Sequence, residues 1–315
     1  MTKMISSCII CKSSKFTPLY ETRDRMFGLS GKFFLKKCNA CSLAFLDPQP
    51  SESKIKKYYP SKAYYAYNRS NKKGFFELLR EYLISHYYSP NIISWLITIC
   101  IKNVPAMPSH VKGGKILDVG CGTGDTLVLL NKLGWDTYGI DMDKNAISTG
   151  KKRVLNNLKL GTYKGIDKYP DNFFDAIRLY HVIEHLDDPS LCLNLIRKKL
   201  RRGGELIMGT PNMESLVSKI FKSYWYNLDS PRHLFIFSPR TLKKLSENNG
   251  FSVKEIEFCS AGGIVGSIQY FINDIFDKKI DLIHKFSVIV LFYPLEWILD
   301  KFHLGDVFTL KAIKA

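Results

Sequence analysis

The sequence predicts an α/β protein built on a seven-stranded, mostly parallel sheet, and three observations predict it. From Gly114 onward, short apolar runs alternate with amphipathic segments, the pattern of parallel strands joined by helical crossovers. The run Ile116 to Val119 enters a glycine-rich turn, Gly120-Cys121-Gly122-Thr123-Gly124, and then a helix. About twenty residues further on a second run ends in an acidic residue, Asp141, the spacing of an adenosine-binding unit.

Composition bounds the reading. A chain of 315 residues with 45% hydrophobic and 13% aromatic residues can bury a sizeable core, which argues against disorder. The net charge of +17 is uneven, because residues 1–112 hold 18 Lys and Arg against 6 Asp and Glu, and residues 113–315 hold 28 against 23. A basic N-terminal third suits an anionic partner, such as nucleic acid, an acidic membrane surface or a phosphorylated substrate, or else is a solvated lysine-rich face. MTKMISSCII lacks a long apolar core, so no secretory signal is expected, the setting reads as cytoplasmic and reducing, and the eight cysteines are not read as four disulfides. The apolar runs Ile92–Ile101 and Val288–Leu295 fall short of the ~20 residues of a membrane-spanning helix.

Three regions are expected. Residues 1–50 form a small zinc-ribbon-like module that closes at Asp47-Pro48-Gln49-Pro50. Residues 51–111 are a linker rich in Lys and Tyr, including Tyr58, Tyr59, Tyr64, Tyr65 and Tyr67, that becomes helical over 75–101 and packs on or covers the next domain. Residues 112–315 carry the sheet, with strands at 115–119, 136–140, 158–163, 174–179, 205–209 and 251–258, and a last edge strand at 308–313. Helices are expected at 123–133, 143–154 and 238–249. Between the last two strands, residues 260–307 form an apolar helical insertion broken by Pro294, of a length that usually serves function. It either packs against 75–101 as core or lies in a membrane interface.

Glycines at 120, 122 and 124 let the backbone approach a ligand, and the following helix offers unpaired N–H groups. Asp141 can accept hydrogen bonds from both ribose hydroxyls; its plain alternative, a helix cap, is available to Asp143. The second informative stretch, Tyr180 to Pro189, contains His181-x-x-Glu184-His185, literally an inverted zinc-protease motif. That motif needs a continuous helix, whereas this one follows a strand and meets Asp187-Asp188-Pro189, so a metalloprotease is set aside. His181, Glu184 and His185 instead sit where open parallel sheets bind ligands. Further on, Trp225 to Phe235 supplies His233 as another base candidate and Arg232 as a possible anion contact; either of these, or Glu184 and His185, could instead only brace its loop.

The acidic residue followed by G-x-G-x-G resembles the first motif of class I S-adenosylmethionine-dependent methyltransferases, a Rossmann-like family, from about Lys115 to Gly209 and less tightly to Phe258. That resemblance implies that Gly120, Gly122 and Gly124, with Cys121 between them, line the methionine part of the cofactor. It further implies that Asp118 holds the loop or the amino group, Asp141 grips the ribose and Met142 packs on adenine. By the same resemblance, the loops carrying His181, Glu184, His185 and His233 face the methyl acceptor, where a base would remove a proton.

Cys8-x-x-Cys11 and Cys38-x-x-Cys41 form two knuckles able to direct four thiolates at one zinc, brought together by a hairpin near Gly28–Gly31. A closed four-thiolate site has no open position and is structural. With the exit Cys41-Ser42-Leu43-Ala44-Phe45-Leu46-Asp47-Pro48, this arrangement resembles the zinc-binding N-terminus of bacterial sugar C-methyltransferases. The acceptor expected on that basis is a sugar, a glycan or a lipid-linked small molecule, with peripheral contact at the inner membrane face. Two alternatives stand beside it. A nucleic-acid methyltransferase or binding protein would use the basic N-terminal third, but an Asn-Pro-Pro-Tyr element is missing. A nicotinamide oxidoreductase shares the sheet, but the compact loop disfavours it.

Overall fold

The structure, a computed structural model, describes residues 2–60, 75–100, 107–109, 111, 113–153, 156–260 and 262–315. Tyr64, Tyr65 and Tyr67 of the linker lie outside the described residues.

The N-terminal region comprises β1 (Thr2–Lys3), β2 (Phe16–Thr22), β3 (Phe33–Cys38), β4 (Ala44–Leu46) and β5 (Gln49–Pro50). It is followed by the short α1 (Glu52–Ile55), then α2 (Phe75–Ser85) and α3 (Ile92–Cys100). The sheet domain runs β6 (Lys115–Val119), α4 (Asp125–Lys132), β7 (Asp136–Asp141), α5 (Lys144–Lys151), β8 (Leu158–Leu160), β9 (Phe174–Tyr180), α6 (Pro189–Lys199) and β10 (Leu200–Pro211). It continues with α7 (Leu216–Phe221), β11 (Phe235–Ile236), α8 (Pro239–Asn248), β12 (Phe251–Phe258), α9 (Gly263–Ile275), α10 (Phe286–Lys301) and β13 (Val307–Lys314).

Seven strands form one sheet in the order β12-β13-β10-β9-β6-β7-β8, parallel except where β13 pairs with its two neighbours. This is the expected α/β sheet. Strand alternation divides its core in two. Leu117 and Ile177 face a cluster with Leu193 and Ile196 of α6 and Leu242 and Leu245 of α8. Ile116 and Ala176, their neighbours along β6 and β9, face Leu127 and Leu130 of α4, Trp135 and Ile84 of α2. Through Ile84, α2 packs into this second cluster.

Three local expectations change. The last strand is not at the edge: β13 lies between β12 and β10 because Val307 to Leu310 are all buried, whereas β12 exposes Lys254 and Glu255 and takes the edge. Pro294 does not end the helix; α10 runs through it. Helix α6 is an element the sequence reading left out, although Asp188 caps it, accepting from the Leu191 N–H, and Pro189 occupies its first turn, a recognisable start signal.

The N-terminal region is not set apart. Strands β2, β3 and β4 join β11 of the sheet domain in one four-stranded antiparallel sheet. Cys8, Cys38, Leu43 and Phe45 share a core cluster with Leu179, Leu234 and Phe235. The hairpin connection between β2 and β3 contains Gly28 and Gly31, as the cysteine spacing requires.

Candidate active site

The sheet order reverses between β6 and β9, so a crevice opens at their carboxyl ends. The loop after β6 forms one wall and the loop after β9 the other.

On the first wall Gly120, Gly122 and Gly124 all have left-handed backbone, with φ of 74°, 54° and 76°. Gly120 has a second reason to lack a side chain, since a Cβ there would overlap Val182 Cγ2 of the opposite wall. The loop is tied to β7, because the N–H groups of Gly120 and Cys121 donate to the Ile140 carbonyl and that of Gly122 donates to Asp141 Oδ2 at 2.8 Å. Asp141 Oδ1 accepts from the Asp143 N–H at 2.8 Å, and burial raises its pKa. Capping of α5 falls to Asp143, whose carboxylate accepts from the Ala146 N–H. Met142, beside Asp141, is exposed. The Cys121 thiol is turned inward, close to Gly139, and burial followed by the nearby Asp118 and Asp141 pushes its pKa up.

Asp118 sits one level below the loop, 3% exposed, and its carboxylate accepts from Arg178 Nη1 at 2.9 and 3.2 Å. The two are direct partners on adjacent parallel strands. The Asp118 carboxylate is thus engaged by Arg178 across the strand pair. Sequence reasoning missed Arg178, although a basic residue among Ala176, Ile177 and Leu179 of a buried strand was a usable signal.

On the second wall, β9 ends at Tyr180, His181 follows at φ 55°, and a single 3-10 turn runs over Ile183–His185. Glu184 is 1% exposed and points inward. Its Oε1 lies 3.3 Å from His181 Nδ1 and 3.9 Å from His233 Nε2, and its buried Oε2 has no hydrogen-bond partner among the described residues. His185 and His233 stack edge to face at 4.6 Å. His185 Nδ1 is 3.0 Å from the Arg232 carbonyl, and His233 Nδ1 is 2.9 Å from the Asn227 carbonyl. Burial alone would raise Glu184, but the hydrogen bond from His181 and the surrounding imidazoles hold it at about 2. Burial and His185 lower His233 to about 4, against the pull of Asp229 and Glu184. Glu184, His185 and His233 thus converge, and half-exposed His181 flanks them from outside. Their arrangement around a short turn, with His233 from a distant loop, has none of the geometry of a zinc-protease helix.

Arg232 does not serve as an anion contact. It is 1% exposed, with Nε on Asp229, Nη1 on the Tyr58 carbonyl and Nη2 on Asp24 and Asp229. Its loop is further pinned by Asp306 at the start of β13, which accepts from Ser215, Trp225 Nε1 and Asn227. Burial raises Asp306 to about 7 in spite of these donors. Asp24, Asp229 and Asp306 are contributors that sequence spacing gave no means to find.

The four N-terminal sulfurs all lie within 4.8 Å of one another, with Cys8···Cys41 and Cys11···Cys38 at 3.5 Å. Four thiolates about 2.3 Å from one zinc would stand about 3.8 Å apart, so this donor set fits a tetrahedral ion.

A parallel sheet with a tied glycine loop at its reversal point, an acidic residue ending the next strand and a polar cluster opposite defines a Rossmann-like nucleotide-cofactor enzyme domain. The chain belongs to the methyltransferase-domain family, whose model matches residues 92–256. Among curated proteins it is similar to a demethylmenaquinone methyltransferase of Geobacillus sp. (strain WCH70), 32% identical over 36% of this chain and 52% of that protein. It is also similar to a ubiquinone biosynthesis O-methyltransferase of Alkalilimnicola ehrlichii, 27% identical over 41% of this chain and 52% of that protein. The match therefore spans about half the length of these relatives. A solved structure, a SAM-dependent methyltransferase from Archaeoglobus fulgidus, aligns over 74% of this chain and 99% of its own with 23% identity and a TM-score of 0.45.

Proposed function

We propose that the protein transfers a methyl group from S-adenosylmethionine to an oxygen or acidic carbon of a small acceptor. The observation that carries this reading is the pairing, across one crevice, of the Gly120–Gly124 loop tied to Asp141 with the inward-facing Glu184, His185 and His233. S-adenosylmethionine supplies an electrophilic methyl on a sulfonium, and the residues present fit it. The three left-handed glycines leave room for the methionine portion, Asp141 keeps lone pairs for ribose hydroxyls, and exposed Met142 stands ready to cover adenine. The cluster on the second wall orients the acceptor and makes its hydroxyl or carbon nucleophilic; the new bond to the methyl forms as the S–C bond breaks, the bonding pair staying on sulfur. Cys8, Cys11, Cys38 and Cys41 hold a structural zinc.

The acceptor we favour is lipid-linked, a saccharide or a related small molecule. Support comes from α9, α10 and the residues that end them, where Phe276, Phe286, Leu291, Leu295 and Phe302 are all exposed. Among the described residues, Ile264 and Leu299 enter the core cluster with Leu35, Val217, Trp225 and Ile236, and Ile268 and Phe292 pack against it half-buried. Exposed Lys278, Lys279, Lys285 and Lys301 punctuate the same surface, a combination that suits an anionic bilayer. Among the described residues no helix is long and apolar enough to cross a membrane.

Titration calorimetry tests the cofactor. Wild-type protein should bind S-adenosylmethionine and its demethylated product, and Asp141→Ala should weaken both at least about tenfold, the loss of one charge-assisted hydrogen bond. Equal binding by the variant removes Asp141 from the site.

A further inference from the structure

The second wall contains an unusual accumulation of lone pairs. His233 Nδ1 faces the Asn227 carbonyl, which only accepts, so it carries the proton; His185 Nδ1 stands 3.0 Å from both the Arg232 carbonyl and the Tyr59 hydroxyl, and donating to the carbonyl gives it the same tautomer. The lone pair of each ring is therefore on Nε2. Glu184 Oε2 is buried and has no hydrogen-bond partner among the described residues, although such atoms are rarely left unpaired. One ligand atom from each of Glu184, His185 and His233 lies within 4.8 Å of the other two.

A proton shared between these groups does not resolve the arrangement. His233 Nε2 is 3.9 Å from Glu184 Oε1 and 3.9 Å from Asp229 Oδ2, beyond hydrogen-bond length, and Asp229 is already engaged by Arg232. The 3.9 Å separation is instead close to the about 3.4 Å between two ligands of one tetrahedral ion. Ring N–H groups donated to backbone carbonyls are also how proteins orient metal-binding histidines.

We propose that Glu184, His185 and His233 form a second metal site, of the two-histidine, one-carboxylate type, which takes a divalent transition ion such as Zn²⁺. It differs in kind from the four-cysteine cluster. Three protein ligands leave at least one position open, and His185 is half-exposed, so that position faces the crevice. Resting on the transferase reading above, the ion would act as a Lewis acid toward the acceptor oxygen. It would favour loss of the hydroxyl proton to solvent before the methyl arrives.

Metal content of the full-length chain decides the matter. After loading with Zn²⁺ and gel filtration, wild type should retain two ions per chain, and Glu184→Gln and His233→Ala should each retain one. The Gln amide can donate to a freed imidazole nitrogen, so Glu184→Gln is expected to stay folded, which undiminished circular dichroism would verify. If either variant does not fold, Co²⁺ spectroscopy on wild type replaces it. The second equivalent should then give ligand-field absorption without added thiolate-to-cobalt charge transfer. A single retained ion in wild type, or a second equivalent with thiolate charge transfer, overturns the site. Cofactor titration is read separately, so a protein that holds two metals but binds no S-adenosylmethionine keeps this site and loses the transferase reading.

Discussion

On the β6–β7 side of the crevice the geometry is made by residues 118–143, with the backbone of the glycine loop hung on Ile140 and Asp141. Across it, the β9 side is assembled from side chains far apart in sequence: Glu184 and His185 beside His233, a loop held by Arg232 to Asp24 and by Asp306 to Trp225 and Asn227. The difference teaches that the two walls depend on different parts of the chain. The first wall is a local backbone device, and the second is braced by contacts to the N-terminal region and to Asp306.

The largest test of this contrast is Arg232→Met, which would leave Asp24 and Asp229 buried without their cation. Unfolding in urea should show a loss of about 3–5 kcal/mol. A loss under about 1 kcal/mol would mean that the N-terminal region does not brace the second wall.

A smaller effect, readable through pH, belongs to Asp306. Its pKa is raised to about 7 in the folded chain, so the native state holds a proton that the unfolded chain releases near 4. The stability it contributes is fully present below about pH 4 and declines as pH rises through about 7. Relative to Asp306→Asn, wild type should therefore lose on the order of 3 kcal/mol between pH 4 and pH 8. A flat difference would sink the assignment of a buried, proton-holding anchor.

The smallest effect is expected on the first wall. Asp143→Ala removes the cap of α5 and should cost about 1 kcal/mol, with cofactor affinity unchanged because Asp141 is untouched. If affinity falls as far as in Asp141→Ala, the two carboxylates do not have separate tasks.

The strands from β6 to β10, the glycine loop, Asp141 at the end of β7 with Asp143 as cap, and the two cysteine knuckles are all legible in the sequence. These are set by hydrophobic period, by backbone conformations that favour glycine, and by ligands spaced within one turn, all of which act over a few residues. Only the tertiary structure decided that β13 enters between β12 and β10, a choice made by which strand can be buried on both faces. It alone decided that Arg232 is an internal brace, because its partners Asp24 and the Tyr58 carbonyl come from the N-terminal third. His181, Glu184, His185 and His233 were all legible as candidates, but which three converge depended on β11 pairing with β4 and on Asp306 anchoring the loop before it. Those are contacts between residues remote in sequence, and no local period or spacing encodes them.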